Sequence, residues 1–230
     1  MNSELAKELY NINEEVKDNF AVKNHMVPFI NKISELYRKE MVEYYNRRVQ
    51  YNLNMMAIAR NMVERLEKFC KENGIMANFV MTSSLNADIN LMGDSDIDIS
   101  MLVENCDYSV ALGIGAKLAT IGFGYKKFVN PNQPLNCYYL YSKIENGIEF
   151  EVKLRDSTKS QLVLRLHNHM EQKLSVDEKM AITYGKLVFK ETSKNETTNE
   201  EKLAYLIFKK LVFERYFAEI EGGFMLEVHY

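Results

Sequence analysis

From Pro28 to about Glu72 the chain has no further proline and no glycine, and apolar residues return every three or four positions: Ile33, Leu36, Tyr37, Met41, Tyr44, Val49, Leu53, Met56, Val63 and Leu66. That spacing draws one apolar stripe along a helix. The stretch therefore predicts a long helix, or two with a break near Asn52-Leu53-Asn54. Pro28 suits a first helical turn and Asn73-Gly74 a stop. A shorter helix is expected from Glu4 to Asp18. After Gly74 the period falls to two. Phe79-Val80-Met81 and Ile97 to Val103 read as short strands flanking a polar loop. Asn136 to Ile144 and Ile148 to Leu154 read as two more, joined by the hairpin signal Glu145-Asn146-Gly147. Between the two pairs, Tyr108 to Ile121 reads as a small-residue helix loosened by Gly113 and Gly115. Three helices follow, at roughly 157–173, 176–191 and 199–220.

The order is a helical arm (1–72), a core of mixed strands and helices (73–173) and a C-terminal helical region (174–230) that packs with the arm. This is an α+β class, a mixed sheet with a helical lobe built from both ends of the chain. A composition of 47% hydrophobic and 27% charged residues supports a folded core and excludes a disordered tail. No apolar run approaches the roughly 20 residues of a membrane span, and Met1-Asn2-Ser3-Glu4 does not open a signal peptide, so a cytoplasmic protein with no membrane partner is expected. Cys70, Cys106 and Cys137 lie 36 and 31 residues apart, which is neither a disulfide framework nor a metal knuckle. Reduced, mostly buried thiols are expected.

The net charge of −3 is unevenly spread. Residues 32–71 hold 9 basic and 5 acidic side chains, and residues 72–156 hold 6 and 11. The basic stretch makes Arg47 and Arg48 candidate RNA contacts, although its interleaved glutamates also describe an ordinary solvated helix face.

The chemistry concentrates in Thr82-Ser83-Ser84-Leu85-Asn86 and Ser95-Asp96-Ile97-Asp98-Ile99. With a side-chain period of two, Asp96 and Asp98 project from the same side of a strand at its start while Ile97 and Ile99 face the core. Two carboxylates so placed repel unless a cation lies between them, and hard divalent ions take such oxygen ligands. A third acid is available in Ile148-Glu149-Phe150-Glu151-Val152-Lys153-Leu154, where Glu149 or Glu151 could join the pair. The same two glutamates also describe a solvent face paired with Lys153. Three acids suffice for two ions, the arrangement of phosphoryl-transfer centres.

These residues resemble the DNA polymerase β-like nucleotidyltransferase superfamily, marked by a strand, a Gly-Ser loop and D-x-D at the start of the next strand. The closer resemblance is to cytoplasmic poly(A) polymerases and terminal uridylyltransferases, whose G-S-S-L-N-G-like loop and S-D-x-D are echoed by Thr82 to Asn86 and Ser95 to Ile99. Phe150-Glu151-Val152 matches the family's apolar-F-D-apolar strand with Glu for Asp, which favours Glu151 over Glu149. The resemblance spans roughly residues 76–190. It implies a nucleotidyltransferase core, catalytic and metal-binding Asp96, Asp98 and Glu151, and Mg²⁺ or Mn²⁺ as cofactor. It further implies an ATP or UTP partner gripped by Ser83, Ser84 and Ser95, with Lys186 and Lys190 meeting the triphosphate, and an RNA 3′ end as acceptor. Two positions depart from the pattern: Thr82 or Ser83 stands for the glycine before serine, and Ala87-Asp88 stand where a second glycine is expected. A loop without those glycines leaves open a catalytically silent subunit that binds RNA or serves as a scaffold. Transfer to a nucleotide, a small molecule or a protein is a further alternative.

Overall fold

The break in the long helical stretch falls at Tyr37, between α1 (Val22–Leu36) and α2 (Arg38–Glu72), and not at Asn52. Asn52 is buried inside α2 and its Nδ2 donates to Asp88 Oδ1 at 2.7 Å, a tertiary bond that holds an intrinsically poor helix former in the helix. Pro28 lies inside α1, not in its first turn. The computed structural model describes residues 5, 7–9, 11–12, 22–82, 84–93, 96–129 and 138–194. Of the short helix expected from Glu4 to Asp18, residues 5, 7–9 and 11–12 are described and are helical. The helix expected at 199–220 lies outside the described residues.

The remaining elements are β1 (Asn78–Met81), β2 (Asp96–Val103), α3 (Tyr108–Ala119), β3 (Gly124–Val129), β4 (Tyr138–Glu145), β5 (Ile148–Asp156), α4 (Gln161–Lys173) and α5 (Val176–Lys194). The chain divides into two units, one of residues 1–49 and 169–230, the other of Gln50–Asn168. In the first, α1 and α5 meet through Phe29 stacked on Phe189 at 6.2 Å. Tyr184 receives Tyr37 and Tyr44 at 5.6 and 6.3 Å. These are aromatic pairs at the separations such rings prefer.

The second unit holds a five-stranded sheet in the order β1-β2-β5-β4-β3. β2 and β5 run parallel, and the other neighbours are antiparallel, so the sheet is mixed as expected. β3 was not expected at all. Its residues are exposed along nearly the whole strand, so no alternation of apolar and polar positions marks it. The turn between β4 and β5 is the one the sequence announces: Asn146 and Gly147 have φ of 53° and 78°, the left-handed pair a two-residue hairpin turn requires.

One face of the sheet is the core. Ile97, Ile99, Met101, Val103, Phe150, Val152 and Leu154 are buried there with Met55, Ala59, Met62, Leu66 and Phe69 of α2 and Ala111, Ile114 and Leu118 of α3. Cys70 joins them as a thiol, and burial pushes its pKa up to about 11, which keeps it protonated and inert. Cys106 is a half-buried thiol, and Cys137 lies outside the described residues. No described helix is long and apolar enough to cross a membrane.

Candidate functional site

The other face of the sheet carries the acids. In the parallel register of β2 and β5, Asp96 lies beside Glu149 and Asp98 beside Glu151. Register partners project from the same side, and so do residues two apart on one strand. The four acidic residues therefore start from a two-by-two set of positions at the start of two neighbouring strands, with backbones spaced about 4.8 Å across and about 6.6 Å along. Ile97, Ile99, Phe150 and Val152, buried on the opposite face, lock this register, because a slip of one residue would exchange core and surface.

Four like charges this close need counter-charges, and two lysines supply them. Lys126 Nζ lies 2.7 Å from Glu151 Oε1 and 2.9 Å from Glu149 Oε1, and Lys153 Nζ lies 2.8 Å from Asp98 Oδ1. Glu151 first, then Glu149, raises the Lys126 pKa above the usual lysine range, so this ammonium stays charged. Its reach depends on a bulge. The β3–β4 pairing shifts between Tyr125 and Lys127, leaving Lys126 as the extra residue. Gly124 and Ser142 are register partners on β3 and β4, and Ser142 is in turn the partner of Glu151, so the register row that ends at Glu151 carries small side chains.

Further along the same face the polar groups are buried and bonded. Thr82 Oγ1 and Ser100 Oγ share a hydrogen bond of 2.8 Å, and Arg155 Nε donates to Ser100 Oγ at 3.2 Å. The ring of Tyr138 lies 4.5 Å from the Arg155 guanidinium and 5.6 Å from Lys153 Nζ. Thr82, one of the two residues where the sequence resemblance places a glycine, thus spends its hydroxyl on Ser100. In the loop that follows, Ile89 N–H donates to the Ser84 carbonyl at 2.8 Å and Asp88 N–H to the Leu85 carbonyl at 3.1 Å. Asp88 has φ of 58°, the left-handed conformation that glycine adopts freely and aspartate tolerates better than most residues. Asp88 is held in that conformation by a side-chain bond from Asn52 Nδ2 to its Oδ1.

Asp96, Asp98, Glu149 and Glu151 are thus brought together on one face. Ser84 is half-buried in the loop turn, and Ser83 and Ser95 lie outside the described residues. Lys186 and Lys190 are on α5 in the other unit, Lys186 buried and Lys190 half-buried. Arg47 and Arg48 are on the α2 portion of that unit. Arg47 is exposed, whereas Arg48 is 1% exposed with its guanidinium 4.7 Å over the Tyr45 ring. Sequence reasoning missed Lys126, which no motif marks. It gave Lys153 to the glutamates of its own strand, whereas the ammonium reaches Asp98 on the neighbouring one. Among the described residues, no three His, Cys, Asp or Glu side chains converge as a metal cluster. The donor type nonetheless fits Mg²⁺ or Mn²⁺: hard carboxylate oxygens, with Asp98 and Glu151 in adjacent register positions.

No protein-family model matches the chain, and no curated protein matches it. Among solved structures it is similar to two of the Cid1 poly(U) polymerase, one of a mutant bound to MgATP and one bound to Mg 3′-dATP. Each is 14% identical with a TM-score of 0.46, over 74% of this chain and 54% of that chain. The chain spans about half the length of those polymerase chains.

Proposed function

We propose that this chain is a metal-dependent, template-independent nucleotidyltransferase that adds a nucleoside monophosphate from ATP or UTP to an RNA 3′ end. The observation that carries the reading is the parallel register of β2 and β5, which sets Asp96 and Asp98 beside Glu149 and Glu151 on the face away from the core. Asp96, Asp98 and Glu151 would hold Mg²⁺ or Mn²⁺. Bound there, the ion would acidify an attacking hydroxyl and offset charge on the triphosphate. In the reaction the 3′-hydroxyl oxygen bonds to the α-phosphorus, the bond from that phosphorus to the bridging oxygen breaks, and pyrophosphate and a proton leave. The residues of this centre belong to one unit, Gln50–Asn168. The sheet under it is rigid by construction, because both acidic strands are central and packed over α2 and α3.

A second reading, a silent subunit of the same ancestry that holds RNA, draws on the lysines that already occupy Asp98 and Glu151. The two separate in one assay: labelled RNA with Mg²⁺ or Mn²⁺ and each of the four NTPs offered singly. The enzyme extends the RNA with ATP or UTP and releases one pyrophosphate per addition. The silent subunit binds the RNA and releases none. Pyrophosphate without RNA extension would move the acceptor to a nucleotide, a small molecule or a protein.

A further inference from the structure

Lys126 and Lys153 are each ion-paired with an oxygen that the proposed centre requires. Lys126 Nζ holds Glu149 and Glu151, and Lys153 Nζ holds Asp98. Neither is placed by chance of a long side chain. Lys126 is the extra residue of the β3 bulge, and on β4 the small Ser142 stands in register between Gly124 of its strand and Glu151. Lys153 follows Glu149 and Glu151 on the same face of β5, beside Ser100 of β2 in the register, with its ammonium 5.6 Å from the Tyr138 ring. A divalent ion arriving alone at these carboxylates would strip both ammonium groups of their counter-charges. A triphosphate arriving alone would meet four carboxylates. The complex of the two satisfies both sets at once, cation to carboxylate and phosphate oxygen to ammonium.

We propose that Lys126 and Lys153 are triphosphate contacts that exchange Glu149, Glu151 and Asp98 for phosphate oxygens, so that the face selects a metal–nucleoside triphosphate complex over either component alone. The inference rests on the nucleotidyltransferase reading and adds to it two residues from outside the recognised motif. It gives a pair of opposed signatures that a structural role for the lysines would not produce.

The test is equilibrium binding to the full chain of Mn²⁺ alone, of ATP or UTP alone in EDTA, and of Mn²⁺ with each nucleotide, with free Mn²⁺ followed by its paramagnetic signal. The wild type binds the complex more tightly than either component. Lys126→Met and Lys153→Met each bind Mn²⁺ alone about 1.5- to fivefold more tightly, the range of an ion pair removed from a partly exposed site, and bind the complex correspondingly less tightly. Lys126→Arg and Lys153→Arg keep the wild-type order and guard against a folding defect. Unchanged constants in the methionine variants, or a loss for Mn²⁺ alone as well as for the complex, overturn the proposal. A wild type that binds the complex while the lysine variants bind it equally well leaves the nucleotidyltransferase reading standing. A wild type that binds no form of metal or nucleotide removes both.

Discussion

Single residues decide how closely the second unit can pack. Gly115 was expected to loosen α3, yet α3 runs unbroken through it, and its role is contact. A Cβ there would lie 2.2 Å from the Tyr141 hydroxyl and 2.5 Å from the ring carbon that bears it. That hydroxyl cannot swing aside freely, because Tyr141 is buried and donates to the Ala111 carbonyl at 3.0 Å. Gly115→Ala should therefore lower stability by about 1–3 kcal/mol in spite of alanine's better helix propensity. Gly113→Ala on the same helix, with open space around the added methyl, should be neutral or stabilising. Urea unfolding of the two variants side by side checks the contrast. Asp88 teaches the related lesson. Its side chain departs from a glycine pattern, while its backbone takes a left-handed conformation that glycine adopts freely.

At the scale of elements, the β4–β5 turn is fastened to α2. Arg65 Nη1 and Nη2 donate to the two Glu145 oxygens at 2.6 and 3.0 Å, a bidentate pair, and Lys143 Nζ lies 2.8 Å from Oε2. The Arg65 guanidinium first, then Lys143, pulls the Glu145 carboxyl down to about 2. A carboxyl lowered on folding contributes stability above its ordinary pKa of about 4.3 and loses it as pH falls through the folded value. Both side chains are substantially exposed, so the contribution at neutral pH is about 0.2–1 kcal/mol. The stability gap between wild type and Glu145→Gln should be full at pH 6 and close as pH falls from about 4.5 toward 2. A gap independent of pH would mean that the pair contributes through packing alone. The elements also show what the sequence could reveal. The hairpin was legible because Asn146-Gly147 announces a left-handed pair, and β2 and β5 because buried and polar residues alternate along them. The unbroken passage through Asn52 was not, because the bond from Asn52 to Asp88 is made 36 residues away. β3 was illegible for the opposite reason: with its residues exposed, nothing in its pattern distinguishes it from a polar loop.

At the scale of the molecule, the site is a property of topology. Asp96 and Asp98 were legible as a same-side pair from one strand alone, whereas their juxtaposition with Glu149 and Glu151 needed the crossover that lays β5 parallel to β2. Lys126 needed more still, a third strand and a bulge, and so lay beyond any local pattern. The central claim is that these acids perform the transfer, and Asp98→Asn tests it most directly. The change removes one charge while keeping the side chain's shape, on a strand whose core face is untouched, so the thermal midpoint should stay close to that of the wild type. Pyrophosphate release, measured with RNA, Mg²⁺ and the preferred nucleotide, should fall to background in Asp98→Asn and in Glu151→Gln, and only modestly in Glu149→Gln. Wild-type release by a folded Asp98→Asn protein would contradict the claim.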